Sequence, residues 1–311
     1  MTLQKLIIGS RGSQLALYQA HWVKEKIEQK HPELSVAIEI IKTSGDIIVD
    51  APLNKIGGKG VFTKEIEEAL LAKKIDLAVH SMKDLPTALP EGLCLGAIPH
   101  REDVRDAFLS NQFESIDTLP ASALVGTSSL RRQSQLLLLR KDLQIVNLRG
   151  NLDTRIRKLD EGQYDAILLA CAGLVRLGLS HRIKQRIPID QLCPAVGQGA
   201  LGIEVREKDG FVLEVLDGLH DRKAARAVMA ERTFLQRLGG GCQVPMAAHA
   251  WEEDGSLKML GVVANLDGSC IYRSNDQAPL AEAELLGTRL AEKLLSLGAQ
   301  EIVDTLSAMN S

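Results

Sequence analysis

Short β-branched runs alternate with stretches of helical period through roughly the first two hundred residues, the pattern of a parallel sheet covered by helices. Leu3 to Ile8 reads as a strand, and Leu15, Tyr18, Trp22 and Ile27 mark the apolar stripe of the helix after it. Val36 to Ile41 predicts a second strand, Phe62 to Lys73 a helix with Ile66, Ala69 and Leu70 inward, and Asp76 to Val79 a third strand. Leu93 to Ile98 closes this group. The same grammar restarts with strands at Ala123 to Val125, Gln144 to Leu148 and Ala166 to Leu169, separated by helices at Leu130 to Leu139 and Leu152 to Leu159. Beyond Pro188 and Pro194, Leu201 to Val205 reads as one more strand, expected to return to the first sheet.

From Asp221 the pattern changes. A helix to about Leu238 and a Gly239-Gly240-Gly241 break precede strand-like runs at Val244 to Trp251, Leu257 to Ala264 and Ser269 to Arg273, then a helix from Ala281 to about Leu297. An internal echo supports two related α/β halves: Ile8-Gly9-Ser10-Arg11-Gly12-Ser13 against Val125-Gly126-Thr127-Ser128-Ser129, each a strand running through Gly and hydroxyl residues into a helix. Any βα junction can look like this, so the echo alone is unspecific. The expected organisation is α/β in three domains: 1–99 plus about 195–218, then 100–194, then a small α+β domain over 219–311.

Composition narrows what such a fold can do. The 311 residues are 45% hydrophobic and 25% charged, with mean hydropathy near zero, enough to bury a real core. The longest uncharged apolar stretch, Ala166 to Val175, is far short of the ~20 residues that span a bilayer. Leu6 to Ile8 is much shorter than the roughly 7 to 15 residues of a secretory core, so a cytoplasmic chain with no membrane partner is expected. The net charge of −3 and 3% aromatic content argue against nucleic acid. Five cysteines, with no CxxC pair, suggest neither a disulfide framework nor a zinc site, and no metal is expected.

The net charge hides a contrast. Between Gly126 and Lys158 there are eight basic residues and two acidic ones, a local charge of +6. Arg131 and Arg132 fall at the first turn of a predicted helix and Arg149 follows a strand beside Gly150, the places where open α/β sheets bind anions. With Arg11, Ser13 and Arg176 they point to a multiply anionic small molecule, because guanidinium grips carboxylate or phosphate bidentately. A solvated basic helix face is the competing reading, preferred for Arg140, Lys141, Arg157 and Lys158. Lys83 and Asp84, just past a strand, could orient a substrate and stabilise a cation, or form a solvated turn before Pro86. His80 reads as a core or loop imidazole. The glycine-rich run around Lys55 and Lys59 lacks P-loop spacing and suggests a lid over an anion. Cys242, after three glycines, is the one cysteine in a context for a nucleophile or attachment point, against an ordinary turn cysteine; Cys94, Cys171, Cys193 and Cys270 read as small hydrophobes.

An ordered series of segments makes the chain resemble the porphobilinogen deaminase (hydroxymethylbilane synthase) family. They are Gly9-Ser10-Arg11-Gly12-Ser13-Gln14-Leu15-Ala16, Ile56-Gly57-Gly58-Lys59-Gly60-Val61-Phe62, His80-Ser81-Met82-Lys83-Asp84-Leu85-Pro86, Gly126-Thr127-Ser128-Ser129-Leu130-Arg131-Arg132, Leu148-Arg149-Gly150-Asn151 with Thr154-Arg155, Pro194-Ala195-Val196-Gly197-Gln198-Gly199-Ala200-Leu201, and Gly240-Gly241-Cys242-Gln243-Val244-Pro245. The resemblance implies a transferase condensing four porphobilinogen molecules head to tail, with loss of ammonia, into hydroxymethylbilane for haem and related tetrapyrroles. It implies a covalent dipyrromethane cofactor on a thioether to Cys242, with Asp84 as catalytic carboxylate. Cofactor contacts fall to Ser81, Lys83, Asp84, Thr127, Ser128, Ser129, Arg131, Arg132, Arg149, Gly150 and Arg155, and substrate contacts to Arg11, Ser13, Arg149, Arg155, Arg176 and Gln198. The implied fold has two domains like the lobes of a type II periplasmic-binding-protein and a third, α+β domain with a three-stranded sheet; a monomer is expected. A non-catalytic two-lobed anion-binding protein would also explain paired α/β units and clustered arginines, but not the Gly239 to Val244 segment.

Overall fold

The computed structural model describes residues 4–47, 60–239 and 245–309. The chain divides into two compact units, Met1–Glu102 with Ala200–Ala225, and Asp103–Gly199 with Arg226–Ser311. The first is built on a sheet of β1 (Gln4–Ser10), β2 (Leu34–Ile40), β3 (Leu77–Ser81), β4 (Leu93–Ala97) and β10 (Leu201–Arg206), in the order β2-β1-β3-β10-β4. β1, β2 and β3 are parallel, and β10 runs antiparallel to both its neighbours. Side chains alternate between two covered faces. Leu6, Ile8, Leu77 and Val79 pack against Ala20, Val23 and Ile27 of α1 (Gln14–Lys30) and Val212, Val215 and Leu216 of α7 (Gly210–Asp217). Ile7 and Ala78 face Ile66 and Leu70 of α3 (Lys64–Leu71), while the short α2 (Ser44–Ile47) follows β2.

In the second unit β5 (Asp106–Leu109), β6 (Leu124–Gly126), β7 (Gln144–Val146), β8 (Ala166–Ala170) and β9 (Gln185–Ile187) form a sheet ordered β7-β6-β8-β5-β9. Position for position this repeats the first sheet, so the echo between Ile8-Gly9 and Val125-Gly126 falls on the corresponding strands β1 and β6. β5 is antiparallel to β8 and β9, as β10 is in the first sheet. The inserted antiparallel strands are exchanged along the chain: β5 enters the second sheet after four strands of the first, and β10 enters the first sheet after all five of the second. α4 (Leu130–Leu139) covers one face through Leu136, and α5 (Leu152–Asp160) with α6 (Cys171–Arg176) covers the other through Ile156, Leu159 and Leu174.

The same unit holds an antiparallel meander of β11 (Met246–Glu253), β12 (Ser256–Ala264) and β13 (Ile271–Pro279). α8 (Arg222–Arg237) and α9 (Ala283–Leu294) bury Phe234, Leu286 and Leu290 against Ala248 and Met259, and α10 (Gln300–Met309) follows. The return of Leu201 to Val205 to the first sheet and the C-terminal three-stranded sheet are as expected. β5, β9, α2, α6, α7 and α10 are additions to the sequence reading. α6 was hidden because β8 ends at Ala170 and α6 begins at Cys171 with no residue between, so one apolar stretch serves two elements. β9 is three residues with Arg186 exposed, too short and polar to show a period.

Helix packing in the C-terminal part depends on one small residue. A Cβ at Gly287 would lie 2.2 Å from the Ala230 carbonyl oxygen and 3.0 Å from the Phe234 nitrogen, so α9 rests on the backbone of α8. Gly287→Ala is expected to lower unfolding stability by about 1–3 kcal/mol, read as an earlier denaturant midpoint; an unchanged midpoint would show that the helices can separate freely.

Candidate active site

The parallel strands of each sheet end at one edge, where the βα turns place their side chains. In the first unit β3 ends at Ser81 and turns through Met82, Lys83 and Asp84 in a single 3₁₀ turn. Two anchors hold it. The Met82 amide donates to the Ala200 carbonyl at 3.0 Å, extending the β3–β10 ladder by one residue. The Met82 side chain is 1% exposed and fits only because position 202 is glycine, whose Cβ would stand 2.3 Å from the sulfur. Below the turn, His80 Nε2 lies 2.9 Å from Glu204 Oε2, a buried pair across β3 and β10. The core reading of His80 thus describes it. Asp84 itself is exposed, and no hydrogen bond or ion pair holds its carboxylate among the described residues.

On the adjacent strand, Arg11 and Ser13 occupy the β1–α1 junction. Ser13 caps α1, accepting from the Ala16 amide at 3.3 Å. Arg11 pairs with Asp46 of α2 and lies over the Phe62 ring, 4.1 Å from its centroid.

The corresponding junctions of the second unit carry the other cationic residues. Ser129 caps α4 through the Arg132 amide, Thr127 Oγ1 accepts from the Ser129 amide at 3.1 Å, and Ser128 donates its hydroxyl to the Leu148 carbonyl. That last bond joins the β6–α4 turn to the β7–α5 loop, so Thr127 to Ser129 and Arg149 to Arg155 stand side by side. Gly150 has φ +115°, and a Cβ there would meet Thr154 at 2.6 Å; its carbonyl accepts from Arg155 Nε at 2.7 Å. Arg149 is half-buried, and its guanidinium has no partner among the described residues. Arg176, ending α6, donates to the Gly199 carbonyl at 2.7 Å.

Arg131 and Arg132 are each only 5% exposed, and both turn their guanidinium groups onto one residue the sequence reading passed over, Asp106. Arg131 Nη1 and Nη2 donate to Asp106 at 2.7 and 3.1 Å, and Arg132 Nε at 2.8 Å. Gln198 adds its amide N–H at 3.1 Å, and Arg131 also reaches the Cys193 carbonyl. Burial would raise the Asp106 pKa, but the charges and hydrogen bonds of the two arginines override it and hold the group down at about 2. The signal for Asp106 was present as an acidic residue opening a short strand, but nothing local says that two arginines 25 residues later converge on it. Arg140, assigned to a helix end, braces Asp142 and the Ile116 and Leu119 carbonyls.

Cys171 and Cys193 are fully buried, and burial pushes both thiols up to about 12, so neither is a thiolate at neutral pH. Cys242, Lys55 and Lys59 lie outside the described residues. No described helix is long and apolar enough to cross a membrane.

Strand orders β2-β1-β3-β10-β4 and β7-β6-β8-β5-β9, with charged and hydroxyl side chains at the carboxyl edges, place the chain among α/β proteins built on two mixed sheets, here followed by a three-stranded antiparallel module. Within that class the chain belongs to the porphobilinogen deaminase family. The family model "Porphobilinogen deaminase, dipyromethane cofactor binding domain" matches residues 6–214, and "Porphobilinogen deaminase, C-terminal domain" matches residues 225–296. The porphobilinogen deaminase of Syntrophotalea carbinolica is 54% identical over 98% of this chain and 97% of its own length. That of Geobacter sulfurreducens is 51% identical over 97% and 95%. Among solved structures, the periplasmic aliphatic sulphonate binding protein of Escherichia coli aligns with 76% of this chain and 70% of its own, at 15% identity and a TM-score of 0.40.

A carboxylate whose folded pKa is depressed adds stability above its unfolded value and loses it as pH falls through the folded one. For Asp106, between an ordinary 3.8 and about 2, that amounts to on the order of 2 kcal/mol, lost on acidification from pH 4 to pH 2. Asp106→Asn, which leaves two buried guanidinium groups without a counter-charge, is expected to destabilise the fold by roughly 3–5 kcal/mol at neutral pH and to flatten this acid limb. Thermal midpoints measured across pH check both, and a variant as stable as wild type at pH 7 would contradict them.

Proposed function

We propose that this chain performs the reaction of its family, the stepwise condensation of four porphobilinogen molecules into hydroxymethylbilane, with Asp84 as the catalytic carboxylate. The observation that carries the assignment is the Ser81–Asp84 turn, an exposed carboxylate unpaired among the described residues and fixed at a strand end by a buried neighbour. Each condensation breaks the aminomethyl C–N bond of porphobilinogen, releases ammonia, and forms a C–C bond with loss of a ring proton. Positive charge grows on the pyrrole as the amine departs. A carboxylate accepting the ring N–H stabilises that charge, and the exposure of Asp84 supports giving it this role.

The residues present suit a dipyrromethane with its carboxylate side chains. Arg149 offers an uncommitted guanidinium fork, and Asp84 an uncommitted acceptor for pyrrole N–H groups. When bound, through a thioether to Cys242, the cofactor supplies a fixed pyrrole end on which the chain is built. Ser81, Lys83, Thr127, Ser128, Ser129, Arg131, Arg132, Arg149, Gly150 and Arg155 hold it, and Arg11, Ser13, Arg149, Arg155, Arg176 and Gln198 take incoming substrate. Arg131 and Arg132 act as a buried positive pair, only part of whose charge Asp106 offsets. Lys55 and Lys59 cover the bound anion. The reading carries with it a cytoplasmic monomer that binds neither nucleic acid nor membrane.

Intact-protein mass spectrometry tests the attachment. Wild type is expected to carry the mass of two pyrrole units, absent from Cys242→Ser; an active wild type without the added mass would refute the scheme. Asp84→Ala is expected to fold and carry the adduct yet lose at least a hundredfold in kcat, the order of a general acid–base contribution. Near-normal turnover would remove Asp84 from this role.

A further inference from the structure

Arg11 is held in a frame of residues with no assigned part. Asp46 Oδ1 accepts from Arg11 Nε at 3.1 Å and from Nη2 at 2.5 Å, and Oδ2 accepts from Nε at 3.2 Å. Asp46 is itself fixed, because the buried Thr43 donates its hydroxyl to Oδ2 at 2.8 Å and its amide to the same oxygen at 3.4 Å. Below the guanidinium lies the Phe62 ring. That ring is seated against Gly45, where a Cβ would come within 2.2 Å of it, and the Gly45 amide donates to the Val61 carbonyl at 2.9 Å. The Ser44 amide also donates to Glu65 at 2.8 Å.

Two sides of the guanidinium are thus taken: one edge by Asp46 and one face by Phe62. A guanidinium has five donors in a rigid fork, and a carboxylate on the Nε/Nη2 edge leaves the Nη1 edge pointing the opposite way. No described residue accepts from Arg11 Nη1. The ion pair is about one-quarter exposed on each side, so its own contribution to stability is small. What it fixes is direction.

We propose that Asp46 is a positioning residue, which aims the Nη1 edge of Arg11 at a carboxylate of incoming porphobilinogen. The proposal rests on Arg11 being a substrate contact, as in the function above. Asp46 touches no reacting atom. It acts by removing the freedom of a long side chain before substrate arrives, so the entropy of ordering the fork is not charged against binding.

The test is a double-mutant cycle on the full-length enzyme carrying its adduct, with KM and kcat for porphobilinogen measured for wild type, Arg11→Gln, Asp46→Ala, Asp46→Asn and the combined variants. Arg11→Gln and Asp46→Ala are each expected to raise KM about tenfold, with a smaller change in kcat. Asp46→Asn, which keeps an oxygen acceptor for the fork, should fall between wild type and Asp46→Ala. In the Arg11→Gln background, removing Asp46 should cost nothing more, because the side chain it aims is gone. Penalties that multiply would overturn the proposal, since they would mean Asp46 acts on the fold or on another group. A lower KM in Asp46→Ala would also overturn it, showing Asp46 to compete with substrate for the fork. An unchanged KM in Arg11→Gln alone would instead remove Arg11 from the substrate site, failing the underlying reading. If Asp46→Ala does not fold, the Asp46→Asn cycle reads the same coupling.

Discussion

One fully buried carboxylate organises the second unit. Asp106 draws Arg131 and Arg132 off the surface of α4 and down to the end of the sheet, and it takes an amide from Gln198 on the stretch before β10. Burying charge is costly unless the geometry satisfies each group, and here the remaining donors reach the Cys193 and Leu168 carbonyls. Asp106 can sit at this edge because β5 is inserted antiparallel, so the strand begins beside Ala170, where β8 ends. Strand direction therefore decides which side chain meets the arginines.

Much of the fold was legible because its parallel strands are short apolar runs and its helices carry a clear 3.6 period, as in Ala20, Val23 and Ile27 of α1. What escaped was set by partners distant in sequence. β5 and β9 exist because β8 and β5 supply their ladders, and nothing in Gln185-Arg186-Ile187 would hold an extended segment alone. At the site, motif residues were legible as residue types at βα turns, whereas their working state was not. Ser13 and Ser129 spend their hydroxyls on helix caps, and Arg131 and Arg132 are committed to Asp106. Nothing local to Asp46 or Asp106 said which arginines they would meet.

The +6 window is accordingly not one cationic surface. Arg140 is a brace for neighbouring carbonyls, Arg157 makes an exposed contact to Glu161, and Lys158 caps the Arg149 carbonyl. Arg131 and Arg132 contribute charge from within the protein, where screening by salt is weak, while Arg149 keeps its donors at the surface. A polycarboxylate near this edge would meet both a fixed interior field and the partly exposed guanidinium of Arg149. The arginines here differ in burial and in partners, so they do not form one uniform group.

The exchanged strands have a consequence for how the chain is made. β10 lies between β3 and β4, so the first sheet cannot close until residue 206 has left the ribosome, although β4 ends at residue 97. Until then β3 has an open edge and β4 has no partner in its sheet, while the second sheet, complete by residue 187, is free to form. The N-terminal unit is therefore the later of these two α/β sheets to finish, inverting the usual order of synthesis. It also leaves an unpaired strand edge exposed through the translation of roughly a hundred residues, the interval in which a nascent chain of this topology has most need of a chaperone.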